Sequence, residues 1–577
     1  MSTRESLPLR AVVGRRLAAI SALFLVLVAL FMVANAYLLA TVDPLNTPAL
    51  KTLSERLDQD PANAELRQQV RELDWLARRA FFIRQWQLQT GAWLLFGAGA
   101  ALILSLQLAL SGRAPAPEVH ACPGQDDPWS AAVRARSVIA GAGILALAGL
   151  ALFSLRVRPH ARIPALDVDT ADAVAEARAR AEPDPAAATS DWPGEAQRHW
   201  PSFRGPGGLG VAEGRTPPTA WDGASGAGVL WKSVVPRSGF NSPVVWGDRV
   251  FLTGADEDKR EVYGYDAHSG ALLWTADTEG VPGAPAALPA VAADTGYAAP
   301  SVATDGRRVV ALFGTGVLLG LDFDGRRLWA RRLPVPDNHY GHASSLLIYR
   351  DMVYVQYDHF GGSELMALDL ETGHPRWERM READISWASP ALIESGGRMQ
   401  LILQAAPMVT AHDARSGEEL WSNECMSGEI GSSPAYAAGR VFAANQYAQA
   451  VALDSATGEE IWSNNRLELP DAGSPVATER HLFLPTSFGV FSCIDAADGS
   501  LVWEHEFDAG GYGSPVLAGA RIYWVTADGK TRIFKAADSF ELIAEPALGE
   551  ASVSTPALVG DRLYIRGEHH LFCIGPE

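Results

Sequence analysis

The sequence predicts an all-β protein, an eight-bladed β-propeller whose last blade is closed by an N-terminal strand, preceded by an α-helical membrane region of three transmembrane helices. Three observations carry this. One unit recurs eight times after Trp200, a lone Trp strand precedes the first unit, and three long uncharged runs lie before residue 160.

The repeat is the strongest of the three. Its openings are "NSPVVWGDRVFL", "AAPSVATDGRRVV", "SSLLIYRDMVYV", "ASPALIESGGRMQLI", "SSPAYAAGRVFA", "GSPVATERHLFL", "GSPVLAGARIYW" and "STPALVGDRLYI". Each reads as a short apolar strand, a polar turn and an alternating strand. A third strand then ends in Asp, and a Gly turn leads into a Trp strand, as in "DAHSGALLW" and "DSATGEEIW". Gly supplies the positive φ that reverses the hairpin, and the Asp carboxylate accepts from turn amides. The Trp residues of this pattern, Trp274, Trp329, Trp377, Trp421, Trp462 and Trp503, fall on the face that packs against the next blade. Four strands per unit at a period of about 40–57 residues predict a propeller rather than a sandwich.

The count of endings predicts the closure. The seventh ending is degenerate, with Ile543 at the Trp position, and the eighth unit stops at "FCIGPE". An unpaired strand, "GVLWKSVVP" with Trp231, stands before the first opening. It is expected to complete the eighth blade, which leaves the ring without a seam.

Upstream, residues 17–40, 88–111 and 137–155 are each near the ~20 apolar residues that span a bilayer. Residues 1–156 are therefore expected to form the membrane region, with an amphipathic helix over about 62–87. Arg4, Arg10, Arg15 and Arg16 precede the first run, which places the N-terminus in the cytoplasm and the chain beyond the third span outside it. The expected location is the bacterial inner membrane, multi-pass, with the propeller facing the periplasm. Residues 157–198, rich in Ala, Asp and Pro, read as a flexible linker, and 199–577 as the propeller.

Composition excludes several functions. A formal charge of −19 offers no basic face for nucleic acid. The four cysteines, Cys122, Cys425, Cys493 and Cys573, show no CxxC spacing, which argues against haem attachment and structural zinc. Cys493 and Cys573 occupy the same place in two units and read as buried apolar side chains. "GPGGLG" matches a dinucleotide fingerprint by letter only, since no strand precedes it and no helix comes after it.

The blade endings and Ser-Pro openings resemble the quinoprotein-type repeat, shared by pyrroloquinoline quinone (PQQ) dehydrogenases and by the BamB-type propeller of the outer-membrane β-barrel assembly machinery. "WPSFRGPGGLGV" followed by "VLWK" is similar to PQQ-binding-like propeller repeat proteins. The resemblance implies the fold over residues 200–577, and partners that are proteins or peptides of the envelope. A PQQ-dependent membrane dehydrogenase of alcohols or sugars is the alternative, and would need PQQ with calcium. No adjacent cysteines or recognisable calcium-ligand set stand at such positions, and neither a cofactor, a metal site nor a catalytic residue is predicted. A small-ligand sensor is a third reading.

Alignment on the residue three before each Pro, or its equivalent, selects Phe240, Tyr297, His342, Trp387, Gly431, Ala472, Tyr512 and Val553. The aromatic members, with Asn241 and His339 beside them, are expected to form a collar at one mouth of the channel. Such rings can stack a flat ligand or hold an extended peptide.

Overall fold

The computed structural model describes residues 9–41, 94–95, 97–99, 101–105 and 192–576, apart from 213 and 283–287. The chain forms two compact units, Met1–Pro159 and His160–Glu577. In the first, Leu9–Thr41 is one helix through the first apolar run, with its side chains described for 16–32. The described parts of the second run are helical. The third run, the 62–87 stretch and the linker as far as 191 lie outside the described residues. Among the described residues no helix is long and apolar enough to cross a membrane.

The second unit is a ring of eight antiparallel sheets. Blades 1 to 7 follow in chain order, opening at Val244, Ala303, Leu347, Ala391, Ala435, Val476 and Val516. Blade 8 takes three strands from residues 557–574 and its outer strand from Val229–Val234. Trp231 lies opposite Cys573, and Val234 opposite His570. The strand missing from the C-terminus is thus supplied from before blade 1. The propeller unit also begins before residue 199, because Trp192–Ala196 is helical and Ala196 is buried in the core.

Each blade-ending Trp has two small neighbours for a reason. Within its own sheet it lies opposite Gly264, Gly320, Ala367, Ala411, Ala452, Cys493 or Cys573. A Cβ on Gly320 would come within 2.1 Å of the Trp329 ring. The ring then covers the turn of the next blade, as Trp462 covers Gly499. The indole N–H of Trp231, Trp274, Trp329, Trp421, Trp462 and Trp503 donates to a carbonyl of that turn at 2.9–3.2 Å. Trp377 makes no such bond; the equivalent carbonyl, Ala414, accepts from Tyr354 Oη. Cys493 and Cys573 are fully buried under their rings, and burial pushes both thiols up, Cys573 to about 11. The degenerate seventh ending has a turn one residue longer. Ala544, not Ile543, therefore takes the Trp place, and the large Ile533 faces it.

The Ser of each opening also has a structural role. The amide of Ser242 donates to Ser301 Oγ, and the chain of bonds continues through Ser345, Ser389, Ser433, Ser474, Ser514 and Thr555 back to Ser242, at 2.8–3.0 Å. Inner strands have an unpaired edge at the axis, and this closed ring satisfies one donor per blade. The Pro that follows in six blades brings no N–H needing a partner. Its carbonyl still does.

That need is met by the entry segment, Trp200–Ala212. Trp200 forms a two-bond bridge with Val245 of blade 1, and the Pro201 carbonyl accepts from Thr304 of blade 2. Gly208 lies on Leu347 and the Pro390 carbonyl, and Gly207 on the Leu392 carbonyl. Arg204, fully buried, donates to the carbonyls of Pro434 and Pro475 in blades 5 and 6. Val211–Ala212 adds a parallel fifth strand to blade 7. Gly207 has φ +64°, and a Cβ there would lie 2.6 Å from the Leu392 oxygen, so the Gly-rich letters serve close packing. The segment Trp200–Ala212, with "GPGGLG" inside it, is a plug in the channel that touches seven of the eight blades, and not a nucleotide loop.

Candidate functional site at the channel mouth

The plug contacts fall one to three residues after the ring hydroxyls, and the collar positions fall two before them. The collar side is therefore the opposite, unplugged mouth. The serine ring also sets the register of the links. Two residues before each hydroxyl stand Phe240, Ala299, Ala343, Trp387, Gly431, Ala472, Tyr512 and Val553. Tyr297 and His342 are thus displaced by two residues and one. The Pro before Ser301 and the doubled Ser344–Ser345 misled the sequence alignment. Phe240, Trp387 and Tyr512 are the rings at equivalent places.

The displaced residues do other work. Tyr297 turns into the blade 1–2 insertion, where its hydroxyl donates to the Pro289 carbonyl. His342 is fully buried and lies against Tyr357, with ring centroids 4.8 Å apart. Asn241 is also buried. Its side chain bonds the Thr253 backbone and the Ala298 carbonyl and accepts from Arg566, so it ties blade 8 to blade 1.

The insertion lies across the mouth. The Ala292 amide donates to the Tyr340 carbonyl at 2.9 Å, and Val291 packs on Gly341 in the blade 2–3 link. On the far side of the ring, Tyr512 Oη donates to Asp294 at 3.4 Å. The collar is therefore strapped rather than open.

Beside the strap the sequence-selected residues do converge. The Trp387 indole N–H donates to the Gly341 carbonyl at 2.8 Å and to Asn338 Oδ1 at 3.1 Å. His339 lies 5.7 Å from Trp387 and from Phe360, stacked on the latter, and its Nε2 is 2.9 Å from Glu429. Tyr340 and Trp387 are 5.3 Å apart. Phe360 is 51% exposed and Met380 75%. Glu429 and the exposed Tyr447 extend this surface towards blade 5. Phe360 and Tyr447 were missed from sequence because hairpin tips carry no repeat signature, and Met380 because it stands on the exposed face of an outer strand, three residues past the Trp. Among the described residues no three His, Cys, Asp or Glu side chains gather as metal ligands.

Electrostatics here are governed by burial. Neither ring nitrogen of His342 makes a hydrogen bond of good geometry. Burial, with a smaller contribution from His359, holds its pKa down to about 3, partly offset by the Ser344 backbone. In blade 4, burial and then Arg381 lower His412 to about 4. Both rings are neutral in the fold and titrate near 6.5 when unfolded. The unfolded chain therefore takes up more protons below pH 6.5, and the stability these sites contribute above that pH is lost as pH falls. Each should cost about 1.4 kcal/mol per pH unit between 6.5 and its folded value. Urea titrations at pH 7, 6 and 5 are expected to show this slope, flattened in a His342→Phe, His412→Gln variant. An unchanged slope in that variant would mean that the rings gain protons without unfolding.

Known proteins share this architecture. A sequence-family profile described as outer membrane protein assembly factor BamB matches residues 189–318, 298–386, 406–469 and 466–571, more than half of the chain. The chain belongs to this BamB family. No curated protein matches it. Among solved structures, BamB from Moraxella catarrhalis shares 18% identity over 60% of this chain and 99% of its own, with a TM-score of 0.46. The quinohemoprotein alcohol dehydrogenase of Comamonas testosteroni shares 13% over 68% and 83%, with a TM-score of 0.53. A europium-containing methanol dehydrogenase shares 11% over 67% and 100%, with a TM-score of 0.50. At these identities the likeness is one of fold: BamB-family membership and the propeller stand, and activity does not follow from them.

Proposed function

We propose that the chain is a membrane-anchored binding protein of the bacterial envelope, its propeller in the periplasm, whose strapped mouth receives an extended segment of a protein partner. The observation that carries this is the surface of Phe360, Met380, His339, Trp387 and Tyr447 on one face of blades 3 to 5. Exposed aromatic clusters of this kind mark interaction sites, and their rings bind at low entropic cost. Family membership supports a protein partner, and a part in outer-membrane protein assembly is the role the family name suggests. The uncharged run inside the Leu9–Thr41 helix, with arginines before it, supports the anchor.

The dehydrogenase reading is less well supported. The insertion bonds to the links on both sides of the mouth, at Tyr340 and at Tyr512, which narrows the access a flat quinone would need, and among the described residues no three His, Cys, Asp or Glu side chains gather beside it.

The test is a photo-crosslinking amino acid placed at Phe360 in cells, with a control at Ser416 on the plugged face. A single envelope protein crosslinked from 360, lost on Trp387→Ala and absent from 416, is the expected result. Equal adducts from both faces would overturn the reading. So would saturable, calcium-dependent quenching of tryptophan fluorescence by PQQ.

A further inference from the structure

Blade 3 departs from the repeat in two adjacent places, and a cleft lies where it does so. In blades 1, 7 and 8 the first hairpin turn uses Gly247, Gly519 and Gly560 at φ +57° to +61°. Two blades have a residue with a side chain there, blade 5 the small Ala438 at φ +49° and blade 3 Arg350 at φ +56°. A long side chain held in this left-handed region is strained, and such strain persists where it serves a site. The next strand opens with a basic residue in the other blades: Arg249, Arg308, Arg398, Arg440, His481, Arg521 and Arg562. Several of these reach the following blade, as Arg308 does to Glu371 at 2.9 Å, His481 to Asp538 at 2.7 Å and Arg562 to His268 at 3.1 Å. Blade 3 has Met352 instead. The facing turn of blade 4 carries Arg415 where blade 3 carries Glu371.

Where blades 2 and 6 make an ion pair to the next blade, blades 3 and 4 leave a space of about 310 Å³. It is lined by Tyr349, Arg350, Asp351, Met352, Arg376, Trp377 and Arg415. Arg376 is paired with Asp351 and Asp369. Among the described residues Arg350 and Arg415 make no ion pair, and Arg350 lies over the Tyr349 ring at 5.2 Å. Three arginines thus line one small cleft with a single carboxylate, Asp351, among them, in a chain of charge −19. Their planar donors match the oxygens of a tetrahedral dianion, and the rings suit a small organic group attached to it. The cleft lies on the plugged side of the ring, away from the aromatic mouth.

We propose that this cleft binds a phosphate monoester through Arg350, Arg376 and Arg415. The experiment is calorimetric titration of the full-length protein in detergent with phenyl phosphate, inorganic phosphate and a short-chain phosphatidic acid. Two variants test it: Arg350→Gly gives blade 3 the turn residue of blades 1, 7 and 8, and Arg415→Glu gives the facing turn of blade 4 the acidic residue that blade 3 has at Glu371. Each is expected to weaken phosphate binding about tenfold or more, the loss of one charge-assisted bond. Arg350→Gly should leave the melting temperature unchanged or raised, because Gly relieves the strained turn. Binding of phenyl phosphate assigns a soluble ester as the ligand, and binding of phosphatidic acid alone assigns a lipid headgroup. No saturable binding of any of the three at about 10 mM, or binding that both variants leave unaltered, overturns the proposal.

Discussion

Arg204→Ala is expected to lower the unfolding free energy by about 3–5 kcal/mol, read from denaturant titration of tryptophan fluorescence. The guanidinium serves the carbonyls of Pro434 and Pro475 at the axis, where no strand edge can reach them. Losing it leaves two buried acceptors at about 1–3 kcal/mol each and a cavity besides. One term opposes this. Among the described residues Arg204 has no carboxylate partner, and burial holds its pKa down to about 9, so its removal recovers desolvation. The orphaned carbonyls and the cavity outweigh that gain, because the plug also joins seven blades at the axis. Limited proteolysis should then cut within 200–212 in the variant and not in the parent. A loss below about 1 kcal/mol would mean that water satisfies the carbonyls and the plug is dispensable.

The second large effect is at the blade interfaces. Trp462→Ala is expected to cost about 3–5 kcal/mol, from the lost ring and the lost bond to the Ala496 carbonyl. Gly499 under that ring has φ +74°, and a Cβ there would come within 2.5 Å of it. Gly499→Ala alone is therefore expected to cost about 3 kcal/mol, part backbone strain and part clash. In the Trp462→Ala background the clash is gone and only about 1 kcal/mol of strain remains. A double-mutant cycle should return about 2 kcal/mol of coupling. Additive losses would show that the turn does not depend on the ring.

The repeat was legible because its signals are local. Asp, Gly and Trp at fixed spacing specify one hairpin and one docking ring, and the unpaired Trp231 strand showed by counting where the circle closes. The candidate site was half legible. Trp387, Tyr512 and Phe240 stand on the common spacing, whereas Tyr297 and His342 were placed by a Pro and a Ser that lie one or two residues off the true register. Only the hydrogen-bonded ring of hydroxyls, a contact between successive blades, reveals that offset. The strap over the mouth and the exposed Phe360 and Tyr447 were not legible, since loop length and turn chemistry do not say where a tip points.

The sequence by itself determined the blade count, the four-strand period and the tryptophan turns, because each rests on backbone pairing and turn chemistry within about one repeat, and the closing strand followed from counting those units. The tertiary structure alone decided that "WPSFRGPGGLG" fills the channel, that Cys493 and Cys573 serve as small residues beneath indole rings, and that blade 3 leaves a basic cleft against blade 4. Those outcomes depend on which carbonyls, rings and charges the closed ring brings together from positions as far apart as Arg204 and Pro475. An unsatisfied buried acceptor or an unmatched charge exists only once that ring has formed.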